Sequence, residues 1–319
     1  MKIIKLYEDI KNVIKTEEIK TSILKLKEQL NDFKSNQNIL IVGSGGSYVT
    51  GLYAENIIEN NMKNLCHVFK PMEVLQTRLN LYKYAIIFSY KMKGYDMKKA
   101  IDYILECDDI TKILVITAKE PKIKYDSDKI IYIYYDEKSE YEKSYVSYKG
   151  IYLPIYILGS CFKHFDDIET KIDKLNNIKI DINNKENLDI FYDKDNYCLA
   201  QLLERHLCEL GIATVRLHEK KDFSHGRMSI LNKEGEVIYI KSYNYDQTYD
   251  DMLYNYLNNV YSMKILNEKE LKQNLSYYEK LLLALYWINE CSIKHGILLD
   301  SKKDTKDDEK LFKYGEESL

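Results

Sequence analysis

The chain has 319 residues, of which 45% are hydrophobic and 30% are charged, and its net charge is −3. This composition is typical of a soluble globular protein, and the length leaves room for two domains. A net charge this close to zero favours neither nucleic acid nor an anionic membrane surface as a partner.

The first half of the chain alternates strand signals with helix signals. Amphipathic helices are predicted between residues 3 and 34. Short, mostly apolar runs predict buried strands at 39–42, 65–69, 84–90, 112–118 and 129–136. Apolar residues at helical spacing predict helices near 47–59, 72–79, 95–106 and 146–165. This alternation predicts a doubly wound parallel sheet.

The second half begins after residues 166–187, which are charged and rich in asparagine and which we interpret as a linker. Strands are predicted at 188–192, 236–243 and 261–266, and helices at 196–210, 249–260 and 268–295. We therefore predict an α/β fold with two doubly wound parallel sheets flanked by helices. The predicted divisions are an N-terminal domain of residues 1–166, a C-terminal domain of residues 187–300 and a charged tail of residues 301–319.

The segment that follows the first strand is rich in glycine and opens a helix. Gly43, Gly45 and Gly46 allow a sharp turn, and Ser47 and Tyr48 begin the helix. The free N–H groups and the positive end of the helix dipole at such a turn attract an anion. The pattern therefore predicts a phosphate or carboxylate site, with a purely structural tight turn as the alternative.

A nucleotide is disfavoured as the anion. The dinucleotide fingerprint requires a glycine where Tyr48 stands, and an acidic residue where the next strand ends in Lys70 and Pro71. The Gly-Lys-Ser/Thr of a P-loop is also missing. A Rossmann-type oxidoreductase is therefore the weakest of the alternatives.

The run GSGGSY followed by a helix resembles the first motif of the SIS (sugar isomerase) domain family. That family includes the isomerase half of glucosamine-6-phosphate synthase and many sugar-phosphate isomerases and deglycases. The resemblance covers about residues 35–315 and implies two SIS-type sheets. It implies that Ser47 binds the sugar phosphate, in a loop with Gly45, Gly46 and Tyr48. The equivalent turn in the second half reads YDKDNY, so the anion site is expected only in the first.

The second phosphate motif of the family usually reads Ser-x-Ser-Gly-x-Thr-x-Asp. Here Ser89 and Asp96 stand in place, whereas Lys91 and Gly94 replace the second serine and the threonine. Lys91 and Lys93 can bind a phosphate by charge. The alternative is that this loop binds a different ligand or none.

The run HLCELGIATVRLHEKKDFSHGRM resembles the catalytic segment of the family. The resemblance implies that Glu209 moves a proton between sugar C1 and C2. It also implies that His225 opens the sugar ring, often for the site of the neighbouring subunit. Aldose–ketose interconversion requires a carboxylate base and a second group that titrates near neutral pH. Taken alone, Glu209 is a helix-surface acid and His225 is a turn residue.

Two further residues are candidates by the same resemblance. His206 lies one helical turn before Glu209, where the family often has a lysine. In the tail, Leu311-Phe312-Lys313 resembles a segment whose lysine closes over the sugar. We therefore treat His206 as a substrate-binding candidate and Lys313 as a catalytic candidate.

The remaining patterns concern compartment and metals. The six cysteines include no C-x-x-C pair, which is typical of structural thiols in a reducing compartment. No segment has the pattern of a signal peptide or the roughly 18 apolar residues of a membrane span, so we expect a cytoplasmic protein. No metal site is predicted, because four histidines show no ligand spacing: His67, His164, His218 and His295.

The resemblance implies a homodimer with its site at the subunit interface, acting on a phosphorylated sugar or sugar-amine. The expected activity is isomerisation or deglycation by aldose–ketose proton transfer, without a cofactor. The alternative is a non-catalytic sensor or regulatory subunit that binds the sugar phosphate. The altered Lys91–Gly94 loop favours the sensor, whereas the Glu209–His225 spacing favours the enzyme.

Overall fold

The computed structural model describes residues 12–121, 124–136, 148–162, 187–230, 236–241, 246–260 and 262–266, together with Leu281, Ala284 and Ile288. These residues fall into two compact units, one before and one after the segment 163–186. The predicted linker, most of the helix predicted at 268–295 and the tail of residues 301–319 lie outside the described residues. Among the described helices, none is long and apolar enough to cross a membrane.

The first unit is a five-stranded sheet flanked by helices. Its strands are β1 (Ile39–Gly43), β2 (Cys66–Phe69), β3 (Tyr84–Phe88), β4 (Lys112–Thr117) and β5 (Ile130–Tyr134). Its helices are α1 (Glu17–Asn31), α2 (Gly46–Met62), α3 (Pro71–Val74), α4 (Tyr95–Leu105) and α5 (Tyr148–Cys161). All strand pairs are parallel, in the order β2-β1-β3-β4-β5.

The central strands of this sheet are buried on both faces. Every residue of β1 and β3 is buried. One face packs against α4 through Met97, Ala100, Ile101 and Ile104. A strand covered on both faces excludes water from every side chain, so it reads as a continuous apolar run rather than an alternating one. This burial is why the sequence predicted these strands correctly.

The helix predicted at 72–79 is shorter than expected. The α-helix ends at Val74, and a 3-10 turn follows at Leu79–Leu81. After Val74 the backbone forms i→i+3 bonds, from Gln76 N–H to Glu73 O and from Thr77 N–H to Val74 O. Bonds of this kind tighten the last turn and end the helix.

The second unit repeats the arrangement on a smaller scale. Its strands are β6 (Asn187–Tyr192), β7 (Thr214–Glu219), β8 (Glu236–Ile240) and β9 (Ser262–Leu266). Its helices are α6 (Tyr197–Glu209), α7 (Lys220–Phe223) and α8 (Gln247–Val260). The strands are parallel in the order β7-β6-β8-β9. The predicted α/β fold with two parallel sheets flanked by helices is therefore confirmed. The domain bounds of 1–166 and 187–300 stay predictions.

Candidate functional site

The carboxyl edge of the first sheet contains a topological switch point. The chain leaves β1 to form β2 on one side and later returns to form β3 on the other side. Gly43 at the end of β1 pairs with Phe88 at the end of β3, so the loops that follow these strands start side by side. Ligands of open parallel sheets bind in the crevice at this position.

The loop after β1 is a tight turn that only glycine allows. A Cβ atom at Gly43 would collide with the backbone carbonyl group of Ser47. Gly45 has φ 63° and ψ −131°, a conformation that residues with side chains rarely adopt. The N–H groups of Ser47 and Tyr48 bond back to the carbonyl oxygens of Ser44 and Gly45, each at 3.0 Å. The loop therefore folds directly into α2.

This loop leaves a hydroxyl group and a helix terminus available to an anion. The side chain of Ser47 is half-buried and has no hydrogen-bond partner within the described part of the chain. Gly45 is the N-cap of α2 and has no side chain that could cap it. Because the N–H groups of Ser47 and Tyr48 are already bonded to loop carbonyl oxygens, this terminus offers an anion mainly the positive end of the helix dipole. This geometry is compatible with the predicted phosphate site.

The loop after β3 offers charge rather than a set of hydroxyl groups. The Ser89 hydroxyl accepts a hydrogen bond from the N–H of Met92 at 3.0 Å, and its own proton remains able to donate. The Asp96 carboxylate, in the first turn of α4, accepts from the N–H of Met97 at 2.8 Å and so satisfies one N–H group of that turn. The side chains of Lys91 and Lys93 are exposed. Where the family motif has hydroxyl groups, this loop therefore has two exposed lysines, and its aspartate is bonded to the backbone of the protein itself.

A third lysine, Lys70, lies next to the loop that follows β1. The sequence did not indicate this position. Lys70 directly follows β2, which pairs with β1 on the side opposite to β3. Its Nζ lies 5.5 Å from the centroid of the Tyr48 ring, within cation–π distance. In the sequence, Lys70 indicates only that a ribose-binding acid is missing from the end of β2. Its position next to the loop follows from the strand order, which the sequence alone does not specify.

In the second unit, the structure brings Glu209 and His206 together on α6. The His206 Nδ1 atom lies 3.3 Å from Glu209 Oε2, and the His206 side chain is 2% exposed. The Nε of Arg205 lies 2.9 Å from Glu209 Oε1. Burial would raise the pKa of Glu209, but the hydrogen bond and charge of His206 and the charge of Arg205 lower it overall. Glu209 is therefore held as a carboxylate, the form that can accept a proton.

The structure does not bring His225 close to Glu209 within one unit. Glu209 ends α6 shortly before β7 begins, whereas His225 lies on an exposed turn after β7 and α7. The side chain of Arg227, two residues on, reaches the carbonyl oxygen of Leu217 near the end of β7. A strand of this length separates its two ends by about 16 Å. The two residues therefore lie towards opposite edges of the second sheet.

The carboxyl edge of the second sheet is occupied by the protein's own charges. Lys220 is fully buried after β7, and its Nζ lies 2.6 Å from Asp250 Oδ1 and 3.5 Å from Asp193 Oδ2. The hydroxyl of Tyr239 donates to Asp250 Oδ1 at 2.6 Å. Burial raises the pKa of Asp193 and of Tyr239. This region therefore holds an internal ion-pair network where the first sheet has its glycine loop.

A second buried network lies on the same sheet. Asp189 accepts two hydrogen bonds from Arg216, both at 2.8 Å, and lies 2.7 Å from His218 Nε2. Burial would raise the pKa of Asp189, but the hydrogen bonds from His218 and Arg216 and the Arg216 charge lower it overall. The described residues contain no group of three or more possible metal ligands. Lys313 lies outside the described residues.

Solved structures with the same fold include several sugar-phosphate enzymes. The tagatose-6-phosphate ketose/aldose isomerase of Escherichia coli has a TM-score of 0.68 at 14% identity, covering 89% of this chain and 91% of that chain. The glucosamine-6-phosphate deaminase of Thermotoga maritima has a TM-score of 0.65 at 16% identity, covering 91% and 97%. The C-terminal domain of glucosamine-fructose-6-phosphate aminotransferase from Francisella tularensis has a TM-score of 0.60 at 15% identity, covering 90% and 95%.

These similarities define the fold class. The chain has the α/β fold of the SIS-like phosphosugar isomerases, with parallel sheets flanked by helices. No protein-family model matches the sequence, and a comparison with curated proteins gives no match. At this level of identity the similarity to solved structures shows the fold alone.

Proposed function

We propose that the protein binds a phosphorylated sugar or sugar-amine and interconverts its aldose and ketose forms, as an isomerase or a deglycase. The observation that carries this proposal is the glycine loop at the switch point of the first sheet. There the Ser47 hydroxyl has no partner among the described residues, and lysines follow the strands on both sides. A dianionic phosphate matches this combination of a helix terminus, a hydroxyl donor and cations.

In this proposal Ser47 and Ser89 bind the phosphate, with Lys70 and Lys91 supplying charge. Glu209 takes a proton from one sugar carbon and returns it to the neighbouring carbon, and His225 moves the proton that opens the ring. In the isomerase each step transfers only a proton; in the deglycase the proton transfer gives an imine of the aldose, and water then hydrolyses this imine and releases the amine. Neither reaction requires a cofactor in this proposal. The lowered pKa of Glu209 supports its role, because only the ionised carboxylate accepts a proton.

The loop is tested by ligand-induced stabilisation. We expect one or more hexose phosphates to stabilise the wild-type protein by about 2.7 kcal/mol when the free ligand is about 100 times its Kd. Ser47→Ala removes the hydroxyl donor and is expected to lose most of this stabilisation in a thermal-shift panel. Ser127→Ala, at the amino edge of the same sheet, is the control and is expected to respond like wild type. If Ser47→Ala also responds like wild type, the loop does not bind the phosphate.

We further propose that the protein is a homodimer in which His225 acts at the site of the neighbouring subunit. Two observations support this: His225 is exposed on its own unit, and β7 separates it from Glu209 of the same unit. A residue that completes the partner's site has to lie on the surface of its own subunit.

Mixing two inactive variants tests this arrangement. Glu209→Gln and His225→Ala are each expected to be inactive, whereas dimers re-formed from an equal mixture are expected to regain about one quarter of the wild-type activity. Half of such dimers are mixed, and one of their two sites contains both wild-type residues. Each variant unfolded and refolded by itself is the control. If the mixture stays inactive while native mass spectrometry shows mixed dimers, His225 acts within its own chain or not at all.

The second candidate function is a sensor that binds the sugar phosphate without turnover. The loop after β3 favours the sensor, because Asp96 is bonded to the backbone of α4 and lysines replace the usual hydroxyl groups. A sensor is expected to show the ligand-induced stabilisation without converting the ligand. Incubation of the stabilising sugar phosphate with the protein, followed by chromatography of the product, separates the two functions.

A further inference from the structure

Both carboxylate oxygens of Glu209 are in contact with neighbours on the same helix. Arg205 Nε lies 2.9 Å from Oε1, and His206 Nδ1 lies 3.3 Å from Oε2. The side chains of Arg205 and Glu209 are 38% and 29% exposed, so this ion pair is partly sheltered from water. The sequence predicted His206 and Glu209 as site residues but did not indicate Arg205.

The two neighbours of Glu209 differ in what they can do. The guanidinium group of Arg205 stays charged at all accessible pH values and can only donate hydrogen bonds. The imidazole of His206 can be protonated or neutral, and its Nδ1 can donate or accept. Oε1 therefore always faces a permanent cationic donor, whereas Oε2 faces a group that can exchange a proton. When His206 is neutral and its Nδ1 accepts, the cationic Arg205 donor makes Oε1 the less basic oxygen, and a proton on this carboxyl group lies on Oε2.

We propose that Arg205 is a positioning residue for Glu209: it holds Oε1 and leaves Oε2 to carry the substrate proton. The inference rests on the proposed function, in which Glu209 is the base. In that step the proton leaves a sugar carbon for Oε2, the electron pair of the C–H bond forms the C=C bond, and the π pair of the neighbouring C=O moves to its oxygen. That oxygen takes the proton of the adjacent hydroxyl group, whose carbon becomes the new carbonyl carbon when the C=C bond is protonated. Oε2 then returns the proton to the neighbouring carbon, so the carboxylate is regenerated.

Other charged side chains near α6 have different partners. On the strands that α6 packs against, Asp189 is bonded to Arg216 and His218. Glu219 accepts from the N–H of Asp222 at the start of α7. Among the described residues, Arg205 and His206 are the charged or titratable groups that contact the Glu209 carboxylate.

Carbon-13 NMR of full-length protein labelled at the glutamate carboxyl carbons tests the contact without substrate. The Glu209 signal is assigned by its loss in Glu209→Gln. We expect Arg205→Met to raise the titration midpoint of Glu209 by a few tenths to about one pH unit, with a smaller rise in Arg205→Lys. Lys20→Met, which removes an exposed ion pair with Glu17 on α1, is the matched control and is expected to leave the midpoint unchanged. An unchanged midpoint in Arg205→Met would overturn the proposal.

The pH dependence of turnover then tests the positioning role. With a sugar phosphate that the wild-type enzyme converts, Arg205→Met is expected to lower kcat more than it changes KM. The acid limb of its kcat/KM profile is expected to move to higher pH by the same interval as the NMR midpoint. If the acid limb of Arg205→Met does not move, Arg205 is not a positioning residue for Glu209. The proposed function of the protein is not affected by that result. If the wild-type protein binds or converts no sugar phosphate, the proposed function itself fails, and the inference fails with it.

Discussion

Replacing Glu209 with glutamine is expected to lower kcat for the sugar phosphate by about 10²–10⁴-fold while substrate binding persists. Glutamine has nearly the same shape and can still contact Arg205 and His206, but its amide cannot accept a proton from carbon. The loss is therefore expected in the chemical step rather than in folding or affinity. Steady-state kinetics gives kcat, and ligand-induced stabilisation gives binding.

Glu204→Gln is the matched control for this substitution. Glu204 lies on the same helix α6 but on a different face from Glu209, since five residues correspond to about 1.4 turns. We expect its kcat to stay close to the wild-type value. If Glu209→Gln retains full activity, another group is the base, and the phosphate site can still be correct. If both variants lose activity, the loss results from a change in the structure of α6 and not from removal of the carboxylate at position 209.

Lys220→Met is expected to destabilise the second unit by about 3–5 kcal/mol, the range for removing one partner of a buried ion pair. Lys220 and Asp250 are both fully buried, and the ammonium group also lies 4.5 Å from the Tyr239 ring centroid. Methionine fills similar space but leaves Asp250 and Asp193 without their cation. The loss of stability is expected to be smaller at lower pH, because a protonated carboxyl group is neutral and can be buried without a neighbouring cation.

Hydrogen exchange of the β6 and β8 amides measures this loss within the second unit, and urea unfolding measures it for the whole chain. Asp251→Asn is the matched control. Its partner Lys241 lies 2.7 Å away, almost the same distance as in the buried pair, but the Asp251 side chain is 60% exposed. We expect Asp251→Asn to change the free energy of unfolding by less than about 1 kcal/mol. If the two substitutions cost the same, burial does not determine the strength of these pairs.

Most strands of both sheets were predictable from local sequence, but β7 was not among the predicted strands. Continuous apolar runs such as residues 39–42 and 84–88 are typical of strands covered on both faces, and the structure places them there. The glycine turn before Ser47 was also predictable, because the positive φ of Gly45 excludes most other residues. These features depend on neighbours in the chain, so a single sequence is sufficient to indicate them.

The sequence did not indicate which distant residues contact one another. Lys70 flanks the β1 loop only because β2 pairs with β1, and a lysine after a strand carries no local signal of that pairing. Lys220 and Asp250 are 30 positions apart, yet they form one buried ion pair because β6, α7, β8 and α8 pack on a common core. Strand order and helix packing depend on the free energy of the whole fold, and they decide whether a charged side chain lies in solvent or in the interior.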